Sequence, residues 1–117
     1  EKEKKYEEAI LVYKEIIASE KNIPEIQNFL IKSAKGKVKI NDFGGAVHDL
    51  EQVLVLKKSS HKNSLKHYET AVMELATIYS SRMKNYSGAL LLMDKALSDK
   101  DFSTAARKKF SRITNNF

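Results

Sequence analysis

The chain is predicted to be all-α, built from tandem antiparallel helical hairpins. Three observations lead there. Apolar residues recur at i, i+3, i+4 and i+7 over most of the length. Four glycines and one proline in 117 residues leave little punctuation for short strands and tight turns. One pattern also recurs three times: aromatic, two residues, alanine, three residues, bulky apolar, two residues, apolar. It reads Tyr6-x2-Ala9-x3-Tyr13-x2-Ile16, then Phe43-x2-Ala46-x3-Leu50-x2-Val53, then Tyr86-x2-Ala89-x3-Met93-x2-Ala96. Recurrence at a roughly regular interval is the mark of a stacked array of similar units.

Taken in order, residues 5–19 carry Tyr6, Ala9, Ile10, Tyr13, Ile16 and Ile17 on one helical stripe. Asn22-Ile23-Pro24-Glu25 opens the next helix, with Asn22 as cap and Pro24 in the first turn, where its missing N–H matters little. From there Ile26, Leu30, Ala34 and Val38 share a stripe, joined by Ile23 and flanked by Ile31, with Lys37 at its edge. Asn41-Asp42 breaks the run, and Asp42 caps a helix over 43–58. Gly44 and Gly45 in its first turn are expected to permit close approach of a neighbouring helix. The polar stretch Lys57–Ser64 reads as a linker, with Ser64 as the next cap. The stripe Tyr68, Val72, Leu75, Ala76, Tyr79, Met83 follows, and Asn85 restarts a helix through Leu97. Asp101 or Ser103 caps a last helix bearing Ala106, Phe110, Ile113 and Phe117.

Composition sets the class. With 42% hydrophobic and 31% charged residues the chain has the balance of a folded globular domain rather than a disordered one. No run approaches the length of a membrane span. The absence of cysteine removes disulfides and thiolate metal sites. The net charge is +6, and only Arg82, Arg107 and Arg112 among the 21 basic residues are arginine. Readers of bases and phosphates lean on the arginine fork, so this balance fits a lysine-rich solvated surface better, with an acidic partner open.

The third unit carries a family resemblance. Val72-x2-Leu75-Ala76-x2-Tyr79 followed by Tyr86, Ala89, Met93 and Ala96 resembles the tetratricopeptide repeat, a helix-turn-helix unit of 34 residues. The resemblance implies a right-handed superhelical solenoid of one domain. Residues 1–20 would be the second helix of a truncated repeat, 22–58 and 64–98 two repeats, and 102–117 a capping helix. Departures are Ser33 and Lys37 at two usual packing positions, and aromatic-to-aromatic intervals of 43 − 6 = 37 and 86 − 43 = 43 residues. The first helix would lack part of its cover over Ile10, Val12, Tyr13 and Ile17. Either another helix precedes it or two copies pair through this end as a homodimer. Because the chain opens with Glu1 rather than Met, it is expected to be a piece of a longer protein.

Catalytic signatures are missing: no G-x-x-x-x-G-K-[ST], no G-x-S-x-G, no H-E-x-x-H. Glu7, Glu8, Asp49, Glu51, Glu69 and Glu74 fall at positions that read as helix surface. His48, His61 and His67 have no acidic cluster at ligand spacing and read as surface residues. No cofactor, metal or catalytic group is therefore expected.

The expected function is a non-enzymatic interaction module. Asn28, Lys32, Lys35 and Lys39 fall within a sector of about 60° opposite the apolar stripe. The resemblance implies that this strip lines a concave groove, with Thr70, Glu74, Thr77 and Ser81 on the matching strip of the third unit. Partner contact is thus expected at Asn28, Lys32, Lys35, Lys39, Thr70, Thr77 and Ser81, for a protein or peptide of acidic character. Alternatives are a segment of a larger helical assembly, or a membrane-anchored chaperone-like protein. The basic end, Lys100, Arg107, Lys108, Lys109 and Arg112, gives a weaker alternative in nonspecific nucleic-acid binding, since Phe102 and Phe110 fall on or near the apolar stripe.

Overall fold

The computed structural model describes residues 2–56, 61–99 and 104–115, and they are helical apart from short turns. The elements are α1 (Lys2–Ser19), α2 (Ile23–Lys39), α3 (Phe43–Val55), α4 (Lys62–Thr77), α5 (Tyr86–Ser98) and α6 (Thr104–Asn115). Among the described residues there is no strand, and no helix is long and apolar enough to cross a membrane. The proposed caps at Asp101 and Ser103, the Lys57–Ser60 part of the linker, and the side chains of Ala106, Phe110, Ile113 and Phe117 lie outside the described residues.

Each helix packs on its chain neighbours, and α2 also touches α4, as α4 touches α6. Helices α1, α3 and α5 make no such contact with one another. The even helices thus lie side by side in a row, with α3 behind the α2–α4 seam and α5 behind the α4–α6 seam. The result is a slab of 39 × 34 × 17 Å.

Apolar periodicity explains what is buried. Leu30, Ile31 and Ala34 of α2 meet Ala46, Leu50 and Val53 of α3 and Ala71, Leu75 and Ile78 from the α4 side in one cluster. Val72 and Ala76 meet Met93 and Ala96 of α5 in a second. Helix α4 feeds both clusters from different sides, so the core runs along the row. Full burial of a side chain such as Leu50 contributes about 2 kcal/mol. Ile10 and Tyr13 of α1 are covered by α2, through Gly36 and the Phe29 ring 5.9 Å away, while Leu11 and Val12 are exposed.

The turns follow from their caps. Asn22 Oδ1 accepts from the Glu25 N–H at 3.2 Å, as its sequence position predicts. At the end of α2 the Asp42 N–H reaches the Lys37 carbonyl and the Asn41 N–H the Val38 carbonyl, with Asn41 left-handed at φ 64°. This is the Schellman arrangement. Asp42 then caps α3 by accepting from the Gly45 N–H at 3.0 Å. The second hairpin repeats the device: Lys84 is left-handed at φ 53°, and Asn85 accepts from the Gly88 N–H at 3.0 Å.

Several expectations are corrected here. The helix after Asp42 ends at Val55 rather than 58. Gly44 has nothing within 4 Å of a would-be Cβ, whereas one at Gly45 would run into the Asp42 carboxylate, so the cap rather than a neighbouring helix accounts for glycine there. Ser64 is buried inside the first turn of α4, and His61 stands at the cap position. Asp49 is not surface: it is 7% exposed. Its Oδ2 accepts from Ser33 Oγ at 2.8 Å and pairs with Lys37 Nζ at 2.9 Å. Met83 lies past the helix end and is exposed, because α4 finishes in a π turn, Ile78–Arg82. Ala34 and Ala46 are 46 − 34 = 12 residues apart, Ala76 and Ala89 are 89 − 76 = 13. A π turn absorbs one added residue without breaking the helix, which leaves the two hairpin turns alike.

Candidate partner-binding face

The residues expected to contact a partner come from α2 and from α4 with its π turn, two elements that pack side by side. Pro24, Leu30, Ile31 and Ala34 turn one side of α2 into the core. At 100° per residue this leaves Lys32, Lys35 and Lys39 exposed on the other side, with Asn28 half-buried at its edge. The Lys32 ammonium lies 5.1 Å from the centre of the Phe29 ring, a cation–π contact that holds the lysine over the α1–α2 seam.

Asn28 and Thr70 come together. They line an open cleft of about 460 Å3 between α2 and α4, with Glu25 on one wall and Asn63, Lys66 and His67 on the other. The hydroxyls are already engaged: Thr70 Oγ1 donates to the Lys66 carbonyl at 3.1 Å, Thr77 Oγ1 to the Met73 carbonyl at 2.9 Å, and Ser81 Oγ to the Thr77 carbonyl at 2.6 Å. A hydroxyl so bonded offers a ligand its lone pairs rather than its proton. Thr77 and Ser81 are exposed and, like Lys35 and Lys39, do not line the cleft.

His67 is held below its ordinary pKa by burial in the α2–α4 cleft, an effect opposed by the Glu25 carboxylate and reinforced by the Lys66 ammonium. Burial thus favours its neutral form. Asn63, Lys66 and His67 were not singled out as contacts by sequence reasoning. The available signal was Lys66 and Thr70 at i, i+4 on the face away from Val72 and Leu75.

Chemically the cleft offers two primary amides, each able to donate and accept, one ammonium, one imidazole, the Thr70 hydroxyl and the Glu25 carboxylate. Such a mixed set recognises polar main-chain groups, both donors and acceptors. His48 is exposed on α3, and His61 stands at the N-cap position of α4 without a capping side-chain bond. Among the described residues no group of three or more His, Asp or Glu side chains could hold a metal ion. No protein-family model, curated protein or solved structure matches the chain.

Proposed function

We propose that the chain is a non-enzymatic interaction module, a solenoid of tetratricopeptide-like hairpins that holds a peptide or partner protein on the face formed by its even helices. The contact residues in this reading are Asn28, Lys32, Lys35 and Lys39 of α2, with Thr70, Thr77 and Ser81 extending the same side. One observation supports it above others: α2, α4 and α6 are neighbours in a row while α1, α3 and α5 do not meet, the arrangement in which stacked hairpins present one continuous face. The cleft joining Asn28 to Thr70 lies on that face.

The test is a photo-crosslinking residue placed at Lys35 or, as control, at Glu51 on α3. Crosslinks to a common partner from position 35 and not from 51 are expected. Changing Lys32, Lys35 and Lys39 together to Glu leaves the circular dichroism unchanged and abolishes capture. Capture that survives the triple change removes this site.

A second reading, a segment of a larger helical assembly or a pair of copies joined end to end, is favoured by α1, which packs only on α2 and exposes Leu11 and Val12. Sedimentation showing a monomer at high concentration argues against the pairing.

A further inference from the structure

Formal charge is sorted by helix parity. In the row α2, α4, α6 there are 4 + 2 + 4 = 10 basic residues against 1 + 2 + 0 = 3 acidic ones, a balance of 10 − 3 = +7. In α1, α3 and α5 there are 4 + 0 + 1 = 5 basic residues against 4 + 2 + 1 = 7 acidic ones, a balance of 5 − 7 = −2. Among the described residues Lys37 pairs with Asp49, Lys109 with Glu69, and Arg107 donates to the Asp99 carbonyl. Lys32, Lys35, Lys39, Lys66, Lys108 and Arg112 are exposed. Packed helices lie about 8–10 Å apart, and the screening length at physiological salt is about 8 Å, so the fields of adjacent helices reinforce one another. Lys32, Lys35 and Lys39 repel at i, i+3 and i+4 spacing, as do Lys108 and Arg112. Among the described residues only the Lys32–Phe29 contact and the last-turn positions of Lys39 and Arg112 offset that repulsion within the fold.

Among the described residues the exposed large apolar side chains, Leu11, Val12, Val55, Met83, Tyr86, Leu90 and Leu91, all sit on odd helices or the Lys84 turn. Among the described residues the even face therefore offers no exposed aromatic platform for bases and no apolar wedge for a bilayer. Its cations are mostly lysine, which neutralises carboxylates as point charges without the bidentate fork. They are also spread over three helices, and the cleft between α2 and α4 carries Glu25.

We infer that the partner held by the even face is an acidic polypeptide segment with spaced carboxylates, read across α2, α4 and α6. Its recognition does not depend on a single terminal carboxylate. This rests on the interaction-module reading and specifies its ligand. It also joins Lys66, Lys108 and Arg112 to the sequence-predicted strip.

The experiment uses a fluorescein-labelled peptide alternating Glu and Ser, its C-terminus amidated, with a Gln/Ser peptide as neutral control. Binding is followed by anisotropy and by amide chemical shifts. The acidic peptide is expected to bind, to shift amides of α2, α4 and α6, and to weaken steeply with salt. Its free-acid form is expected to bind within about twofold of the amide, a difference too small for a dedicated terminal-carboxylate site. Changing Lys32, Lys66 and Arg112 to Glu is expected to weaken binding at least about tenfold, while Lys14→Glu and Lys95→Glu on odd helices leave it unchanged. Equal binding of the neutral peptide on the same helices would overturn the acidic ligand and leave the module intact. Shifts confined to α3 and α5 would overturn both. Tighter binding of single-stranded DNA or of anionic phosphatidylserine vesicles at matched charge, abolished by the same reversals, would also overturn the polypeptide assignment.

Discussion

The Lys37 ammonium stands 2.9 Å from the Asp49 carboxylate, and the same Oδ2 accepts the Ser33 hydroxyl proton at 2.8 Å. Three polar side chains thus tie α2 to α3 beside Leu30 and Leu50. Ser33 and Asp49 are buried and the Lys37 side chain is 20% exposed, so the network is shielded without being sealed. Replacing Asp49 by Ala leaves an ammonium and a hydroxyl without their acceptor in a low-dielectric seam. A loss of about 2–3 kcal/mol is expected, less than for a fully buried pair. Urea midpoints for Asp49→Ala, Lys37→Met and the double variant measure the coupling. Additive effects would show that the pair contributes nothing specific.

Gly44 and Gly45 are expected to respond with opposite sign to the same substitution. Gly44→Ala meets open space and gains helix propensity, up to about 1 kcal/mol. Gly45→Ala places a Cβ in the Asp42 carboxylate, which must swing away and release the Gly45 N–H. Loss of that cap costs up to about 2 kcal/mol and, with the displaced carboxylate, outweighs the propensity gain. Gly88→Ala behaves like Gly45→Ala, because Asn85 occupies the same place. Thermal midpoints of the three variants decide it, and a stabilising Gly45→Ala would refute the cap argument.

Helix existence and type were legible because the apolar period is strong and local. So were the caps at Asn22, Asp42 and Asn85, where side chain and N–H are three residues apart. What escaped was non-local. Asp49 reads as surface on its own helix, and only the facing Ser33 and Lys37, two polar residues at packing positions of α2, betray its burial. The π turn was present as a spacing excess, thirteen residues between Ala76 and Ala89 against twelve in the preceding hairpin. Of the candidate face, the lysine strip of α2 was readable from angle alone. The cleft joining Asn28 to Thr70 needed the α2–α4 contact, and the sorting of charge by helix parity needed the topology of the row.

Left-handed residues at the two hairpin turns are unequally suited to their conformation. Asn41 at φ 64° is a residue type that tolerates the region, and Lys84 at φ 53° is not. Lys84→Gly is expected to stabilise the fold by about 1 kcal/mol, and Asn41→Gly to change it by only a few tenths. Chemical denaturation of the two single variants separates them. Equal gains would mean that the strain argument fails for Lys84.

His67 makes stability depend on pH in a defined direction. Burial in the cleft between α4 and α2 lowers its folded-state pKa below the ordinary 6.5, with the facing Glu25 opposing and Lys66 assisting. The unfolded chain therefore binds the proton more readily. The stability held by the neutral ring is fully present above about pH 6.5 and is lost as pH falls from there through the lowered folded value. Because the ring is only half-buried, the loss is modest. Urea midpoints recorded from about pH 8 down to 5.5, above most carboxylate titration, should decline for the parent chain. His67→Gln keeps a polar side chain of similar reach and should flatten that decline. A decline that persists unchanged in His67→Gln would place the titrating group elsewhere.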